Sequence, residues 1–260
     1  MRAERKSAVR YYRSYTDEFV ESRQQDFLLP ENYTWVHTSP VYRAVAQLLY
    51  GAAFAFEFFY ARFALHIKVV GRDKLKGLRD TGYFLYGNHT QPIGDAFAPA
   101  QYAFPKRIYA VAGTANLGIP VLGRLLPMLG ALIIPDSVRQ MKDFLGAVQY
   151  HLAHKSCIVI YPEAHVWPYC GFVRPFPATS FRFPVEFGVP AYCMTTTYQK
   201  RAWGKKPRAT VFIDGPFVAD GTAGRKAEQK RLHDEIYACM QARSKAGTYD
   251  YIRYEKEAVQ

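Results

Sequence analysis

The sequence predicts an α/β fold, in which helices flank a largely parallel central sheet and an N-terminal helical segment lies at a membrane interface. Three observations favour it. From about residue 66 onward, short apolar runs alternate with amphipathic stretches, which is the pattern of strands connected by helices. A strongly apolar segment, 44–65, precedes them. The formal charge is +12, from 34 Lys and Arg against 22 Asp and Glu, which favours an anionic partner surface.

The composition is that of a globular protein in a reducing compartment. A chain of 260 residues buries roughly three-quarters of its unfolded surface, so neither disulfides nor a metal are needed for stability. The hydrophobic content of 49% argues against disorder. The four cysteines show no CxxC spacing, which argues against a zinc ribbon and against a thioredoxin-type redox site. We expect no metal site.

Residues 1–40 are predicted to form a basic N-terminal arm. Arginines and lysines are frequent in the first 13 residues, but no apolar core of a signal peptide follows them. A short helical pattern runs over residues 14–27 and ends before Pro30. We expect the arm to contact anionic lipid, because each Lys or Arg near an anionic leaflet contributes about 1 kcal/mol to binding.

The apolar segment 44–65 is too interrupted for a typical membrane span. Its longest uncharged stretch is 13 residues, against about 20 for a spanning helix, and Glu57 and Arg62 follow. On a helix, a narrow polar stripe is formed by Arg43, Gln47, Tyr50 and Glu57. We interpret the segment as a helix in the headgroup region with this stripe toward water. A core helix is the main alternative, and a true span is less favoured.

Seven strands are predicted after this segment, at 67–70, 83–86, 108–111, 131–134, 157–161, 192–196 and 210–213. Helices are predicted between them, notably at 137–152, and a last one spans about 227–244. No glycine-rich phosphate loop is present, so nucleotide hydrolysis has no support. Nucleic-acid binding is not expected either, because the sequence contains no recognisable recognition motif.

The most informative stretch directly follows the strand 83–86. His89 and Asp95 emerge where α/β folds place their sites, at the carboxyl end of a strand. An Asp that keeps one imidazole nitrogen protonated leaves the other free to accept a hydroxyl proton, as a general base does. Pro92 and Gly94 favour a tight turn that brings the carboxylate back to the imidazole. The alternative is that Asn88 and Asp95 are turn and cap residues and that His89 is merely hydrogen-bonded.

Four short blocks give this stretch a context. Asn88-His89 with Asp95 comes first, followed by a Pro/Gly-rich block at 118–134, Tyr-Pro-Glu within 158–163, and Gly-Val-Pro-Ala at 188–191. In order and interval, over about residues 66–215, they resemble the glycerolipid acyltransferase family typified by 1-acylglycerol-3-phosphate acyltransferases. The resemblance implies that family's α/β fold. It divides the chain into the arm 1–40, an interfacial helix 41–65, an acyltransferase domain 66–218 and a C-terminal helical segment 219–260.

The blocks also depart from the family pattern. Five residues, not four, separate His89 from Asp95. The family's two phosphate-binding arginines have no counterpart, because Asp136 takes one position and Ala164-His165-Val166 replaces the Gly-Thr-Arg that carries the other. Possible substitutes that offer the bidentate donors favoured by phosphate are Arg174, Arg139 and Arg124.

The resemblance implies acyl transfer in phospholipid biosynthesis, from acyl-CoA or acyl carrier protein to a hydroxyl of a lysophospholipid such as lysophosphatidic acid. His89 and Asp95 would form the general-base dyad, with Asn88 and Glu163 at the substrate. No resident cofactor is implied, since the thioester is a co-substrate. The implied location is the cytoplasmic face of a membrane, as a peripheral or monotopic protein that meets its lipid acceptor there.

Two alternatives stay open at this point. Glu163 either orients the acceptor or is a loop carboxylate that pairs with a nearby arginine. The whole chain is either an enzyme or a non-catalytic lipid-binding or tethering protein with the same fold, an alternative that the altered second and third blocks make credible. Trp167 and its aromatic neighbours either line an acyl channel or form a packed loop.

Overall fold

The computed structural model describes residues 7–20, 27–202 and 206–257. The strands are β1 (Ala8–Tyr12), β2 (Lys68–Val70), β3 (Tyr83–Gly87), β4 (Ile108–Ala112), β5 (Ala131–Ile133), β6 (Cys157–Ile160), β7 (Ala191–Gln199), β8 (Arg208–Phe217) and β9 (Ile252–Lys256). The α-helices are α1 (Pro40–Phe59), α2 (Gly94–Ala103), α3 (Leu122–Leu125), α4 (Val138–Ala153), α5 (Arg182–Phe187) and α6 (Arg225–Ser244).

A seven-stranded sheet in the order β2-β8-β7-β3-β6-β4-β5 forms the core. The five strands from β7 to β5 are mutually parallel, β8 runs antiparallel to β7, and β2 is parallel to β8. The predicted α/β class with a largely parallel sheet is therefore confirmed. β3 lies in the middle of the parallel part, so the loops that follow β3 and β6 meet at one edge of the sheet.

All seven predicted strands are present, with bounds shifted by a few residues. The central strands β3 and β6 are buried along their whole length, as are most residues of β7. A strand buried on both faces is a continuous apolar run, which is why these segments were recognisable. The helices predicted at 137–152 and 227–244 are confirmed as α4 and α6.

The arm is where the sequence prediction of a helix at 14–27 is wrong. Residues 14–20 form turns and bends, and 21–26 lie outside the described residues. Ahead of them, β1 pairs in parallel with β9, in a register that joins Ala8 to Ile252 and Tyr12 to Lys256. Aromatic and β-branched residues favour a strand here. The partner lies more than 240 residues away, so local periodicity carried no sign of it.

The polar stripe of α1 faces the protein, which corrects the prediction that it faces water. The Glu57 side chain is fully buried. The Tyr50 hydroxyl accepts a hydrogen bond from the Ile108 backbone N–H at 3.1 Å, and Arg107 Nη1 donates to Gln47 Oε1 at 3.1 Å. The stripe is the side of the helix that finds hydrogen-bonding partners on the domain, so it docks inward.

The apolar side of α1 is left exposed. Seven large apolar residues of the helical segment are between 43% and 75% exposed: Val41, Val45, Leu48, Phe56, Phe58, Phe59 and Phe63. The alternative of a core helix is therefore wrong. By length and composition alone, the continuous helical stretch Pro40–Leu65 is apolar enough to cross a membrane. Contiguous exposed apolar surface of this kind is typical of a membrane or partner contact.

Candidate active site

The loop between β3 and α2 brings His89 and Asp95 together. His89 Nδ1 lies 2.9 Å from Asp95 Oδ2. The same oxygen accepts backbone N–H hydrogen bonds from Thr90 at 2.7 Å and from Gln91 at 2.8 Å. Asp95 lies in the first turn of α2, where the helix dipole also favours a negative charge. The carboxylate is thus held by three donors, and the fifth intervening residue is accommodated by the loop.

Gly94 allows this turn to close. A Cβ atom at this position would lie 2.2 Å from Gln91 Oε1 and 3.1 Å from Leu65 Cδ1. Any larger residue would push the loop away from the carboxylate or from the end of the helical segment that follows α1. The glycine therefore places the start of α2 directly beside Leu65 and keeps Asp95 within reach of the imidazole.

The imidazole is poised with one nitrogen paired and the other free. An ionised carboxylate only accepts hydrogen bonds, so Nδ1 of His89 carries the proton and Nε2 keeps its lone pair. No described residue hydrogen-bonds to Nε2, and 20% of the His89 side chain is exposed. This arrangement lets Nε2 accept a proton from a hydroxyl while Asp95 stabilises the resulting imidazolium.

Tyr161 positions the imidazole and was missed by sequence reasoning. Its ring stacks on His89 with 4.4 Å between centroids and 16° between planes. Its hydroxyl donates to the Asp95 backbone carbonyl at 2.6 Å. Burial raises the pKa of Tyr161 well above its ordinary value, so the hydroxyl stays protonated and remains a donor. The only sequence signal was that it follows β6, whose place beside β3 the sequence did not reveal.

Asn88 anchors the loop to the neighbouring strand. Its side-chain amide donates to the Thr196 carbonyl at 3.0 Å, and its Oδ1 accepts from the Thr196 N–H at 2.8 Å. Asn88 is 2% exposed. Its amide is therefore engaged by the backbone of β7, and the residue acts on substrate, if at all, through the position of the loop.

Glu163 joins the loop after β6 to the backbone of His89. Its Oε2 accepts from the His89 backbone N–H at 2.9 Å and from Arg174 Nη2 at 2.9 Å, while Oε1 accepts from the Arg174 backbone N–H at 2.8 Å. Glu163 is buried. Of the two sequence interpretations, pairing with an arginine is the contact that the structure contains.

Arg174 is 1% exposed and directed into the protein. Besides Glu163, its guanidinium donates to the carbonyls of Tyr15, at 3.1 Å, and of His165, and it lies 4.7 Å from the centre of the Trp167 ring. Its paired nitrogens are therefore unavailable to a phosphate. The other two proposed substitutes, Arg124 on α3 and Arg139 in the first turn of α4, are exposed.

Trp167 supports the site from outside. Its backbone N–H donates to the His89 carbonyl at 3.0 Å, and its indole N–H donates to the Asp17 carbonyl at 2.8 Å. The ring is fully buried in a cluster with Tyr12, Ile252 and Tyr254 of β1 and β9. The packed-loop interpretation of Trp167 therefore describes the structure, and the paired terminal strands hold this loop against the His89 loop.

One group of potential metal ligands occurs among the described residues, away from His89. Side-chain atoms of Cys193, Asp214 and Cys239 lie within 4.8 Å of one another. Arg243 donates to both oxygens of Asp214, at 2.7 and 2.8 Å, and Lys74 donates at 2.6 Å. These contacts lower the pKa of Asp214 to about 2. Two cations already neutralise the carboxylate, which disfavours a metal ion there.

No family model matches the sequence, and no curated protein matches it. The chain is similar to a solved structure, the 1-acyl-sn-glycerophosphate (LPA) acyltransferase PlsC from Thermotoga maritima. The TM-score is 0.54 at 15% identity, and the match covers 79% of this chain and 84% of that chain. The chain has the fold of an acyltransferase. At this identity the likeness establishes the fold, as the block resemblance predicted.

The PlsC-like fold gives the geometry around His89 its context. The dyad candidate lies at the carboxyl end of the central strand β3, beside the loop that follows β6. Of the predicted site residues, the structure brings together Asn88, His89, Asp95, Glu163 and Arg174, the last through Glu163. The chemical roles of these residues are the subject of the proposal below.

Proposed function

We propose that this protein is a membrane-associated O-acyltransferase that moves a fatty acyl group from a thioester to a hydroxyl of a lysophospholipid or related glycerolipid. The observation that carries the proposal is the 2.9 Å contact between His89 Nδ1 and Asp95 Oδ2, which leaves Nε2 unpaired. The blocks shared with glycerolipid acyltransferases and the PlsC-like fold support the same chemistry.

Acyl transfer needs only a few steps at this site. As the acceptor oxygen attacks the thioester carbon, His89 Nε2 takes its proton, and Asp95 stabilises the imidazolium. The tetrahedral intermediate then collapses, the carbon–sulfur bond breaks, and the imidazolium returns the proton to the thiolate. The thioester is already activated, so no covalent acyl-enzyme is required. General-base help of this kind typically contributes about 10²–10⁴-fold to the rate.

The exposed apolar side of α1 supports a site at a membrane surface. Leu65, at the end of the helical segment that continues α1, lies beside Gly94 at the start of α2, one residue from Asp95. A lipid acceptor that stays in the bilayer therefore has a short path from the apolar face to His89. The net charge of +12 favours the anionic cytoplasmic leaflet as the surface that is bound.

The acceptor and donor are proposed at the level of chemical class. The positions of the family's phosphate-binding arginines hold other residues, and Arg174 is committed to Glu163. Arg124 and Arg139 are exposed and stay available as phosphate donors. The donor is acyl-CoA or acyl carrier protein as a co-substrate, and no resident cofactor is part of the proposal.

The test is a direct acyl-transfer assay. Purified protein in phosphatidylglycerol-containing vesicles is incubated with radiolabelled acyl-CoA or acyl carrier protein and with a panel of lysophospholipids and monoacylglycerol. We expect an esterified lipid product from wild type and none from His89→Ala. His66→Asn is the matched control, because His66 is exposed and has a positive φ of 47°, a conformation that asparagine tolerates.

Two results would contradict the proposal. Absence of product from every acceptor, with both donors, would favour the alternative of a non-catalytic lipid-binding protein. Unchanged turnover in a folded His89→Ala variant would show that the acyl transfer does not depend on the dyad. Circular dichroism of each variant establishes that it is folded before its activity is compared.

A further inference from the structure

A cavity of about 600 Å³ lies at the sheet edge opposite to His89. Its walls include Arg107 and Ser156, which immediately precede β4 and β6, the first residues of α1, and the last turn of α4. Strands β3, β4 and β6 are parallel, so this edge lies at their starts, whereas His89 lies beyond the end of β3. The cavity is therefore separate from the candidate active site.

The side chains around this cavity leave positive charge uncompensated. Its walls contain two arginines and three histidines, namely Arg43, Arg107, His37, His151 and His154. No aspartate or glutamate among the described residues lines it. Arg43 is exposed, and no described carboxylate pairs with it. Burial and then the charge of Arg107 lower the pKa of His151 to about 4. An anion is the ligand that this field favours.

His151 supplies the feature that marks a built site. It is 6% exposed, and its Nε2 has no hydrogen-bond partner among the described residues. Its ring is fixed by stacking on Tyr109, with 3.6 Å between centroids. Arg107 also has a buried, unpaired Nε, although its Nη atoms donate to Gln47 and Met128. Buried polar atoms are rarely left unpaired, so their partner is expected in the cavity.

The remaining walls suit an organic group. Trp35, Tyr42, Tyr109 and Tyr150 contribute aromatic rings, and the volume is within the range of small-molecule sites, about 300–1,000 Å³. Neighbouring residues of α1, Val41 and Val45, are exposed apolar side chains that lead away from the rim. A ligand that combines an anionic group with an apolar or planar part satisfies both kinds of wall.

We propose that this cavity binds a phosphate ester, with phosphate oxygens on His151 Nε2 and the Arg43 guanidinium and the organic part against the aromatic rings. The shared chemistry is the phosphate ester, whose organic part is a lipid glycerol or a nucleoside. The exposed apolar face of α1 beside the rim favours the lipid. The inference does not depend on the proposed acyl transfer.

The test is calorimetric titration of the full-length protein with three probes. These are dihexanoyl phosphatidic acid below its micellar concentration, adenosine 3′,5′-bisphosphate, and inorganic phosphate. The cavity variants are Arg43→Glu and His151→Phe, the latter keeping a ring on Tyr109 while removing Nε2. The matched control is Arg62→Glu, which reverses an exposed charge on the same helical segment outside the cavity. His89→Ala separates this site from the candidate active site.

We expect saturable binding of at least one of the two esters, tighter than that of inorganic phosphate. Each cavity variant should weaken that binding by about tenfold, the effect of one charge-assisted hydrogen bond, whereas Arg62→Glu and His89→Ala should not. The proposal is overturned if neither ester binds saturably, or if Arg62→Glu weakens binding as much as Arg43→Glu. It is also overturned if His89→Ala abolishes binding, because the phosphate would then occupy the other site.

Discussion

Glu163 and His89 are joined by a hydrogen bond of 2.9 Å from the His89 backbone N–H to the carboxylate. The same carboxylate holds Arg174, whose guanidinium also reaches the backbone of the N-terminal arm at Tyr15. The loop that presents the imidazole is therefore connected, through one buried ion pair, to a segment more than 70 residues away in each direction. This connection makes several properties of the site measurable.

Arg174→Met should strongly destabilise the protein. Removing the guanidinium leaves the Glu163 carboxylate charged, buried and partly unpaired, a change that typically costs about 3–5 kcal/mol. Urea-induced unfolding measures the loss. In the control Arg13→Met, an exposed arginine that pairs with Glu257 is changed, and a much smaller effect is expected. Equal effects of the two substitutions would contradict a structural role for the buried pair.

Glu163→Gln should affect turnover more than acceptor binding. Glutamine keeps the shape but donates from one end, so it cannot accept from both the His89 N–H and the Arg174 guanidinium as the carboxylate does. We expect kcat to fall while KM for the acceptor changes little, because the His89 backbone shifts. A rise in KM at constant kcat would instead indicate that Glu163 contacts the acceptor.

Asp95→Asn should abolish most of the activity while the fold is kept. Three donors converge on Asp95 Oδ2, and an asparagine either turns its NH₂ toward them or leaves His89 in the wrong tautomer. We expect kcat to fall by about 10²–10⁴-fold, the usual contribution of a general base. Asp80→Asn is the control, since Asp80 is an exposed carboxylate that pairs with Lys155. Activity close to wild type in Asp95→Asn would argue against the dyad.

The stability of the docked α1 should depend on pH through Glu57. Both Glu57 oxygens lack a hydrogen-bond partner among the described residues, and burial, followed by the charge of Asp95, raises the pKa of Glu57 from 4.5 to about 8. The folded state thus binds this proton more tightly than the unfolded state. Wild-type stability therefore falls as the pH rises between these values, by up to about 1.4 kcal/mol per pH unit.

Glu57→Gln removes this titration and should raise the thermal unfolding midpoint more at pH 9 than at pH 5. Below pH 4.5 both side chains are neutral, and the difference between the two proteins should nearly vanish. Glu31→Gln, at an exposed position, serves as the control and should show no such pH dependence. A constant difference between Glu57→Gln and wild type across this range would contradict the expectation.

The apolar face of α1 should determine membrane binding. Phe56, Phe59 and Phe63 share one side of the helical segment and are 59–65% exposed. Changing all three to serine should reduce binding to phosphatidylglycerol vesicles by at least about 100-fold, because a buried Phe contributes about 1.5–3 kcal/mol. Vesicle flotation measures it. The pair Val138→Ser and Val218→Ser removes exposed apolar groups outside α1 and should leave binding unchanged.

Several features followed directly from local sequence. The strands of the parallel sheet are uninterrupted apolar runs because they are buried on both faces, and such runs are recognisable without knowledge of their neighbours. The proximity of His89 and Asp95 was equally accessible, because Pro92 and Gly94 made a turn the favoured conformation between them. Both inferences involve residues close together along the chain.

Other features depended on partners far along the chain. The pairing of β1 with β9, the contact of Glu163 with His89, and the stacking of Tyr161 on His89 join segments whose adjacency no periodicity encodes. The same reason explains the reversed orientation of α1. Helical spacing identified its polar stripe, but only the domain's hydrogen-bonding groups decided whether that stripe met protein or water.

The sequence by itself thus determined the types of element, their order and the dyad candidate, since each depends on interactions within a few residues. The tertiary structure alone decided which faces meet: the apolar side of α1 left outward, the guanidinium of Arg174 turned inward onto Glu163, and a cationic cavity at the far edge of the sheet. Burial and hydrogen bonding between distant segments select among faces that local patterning leaves equivalent.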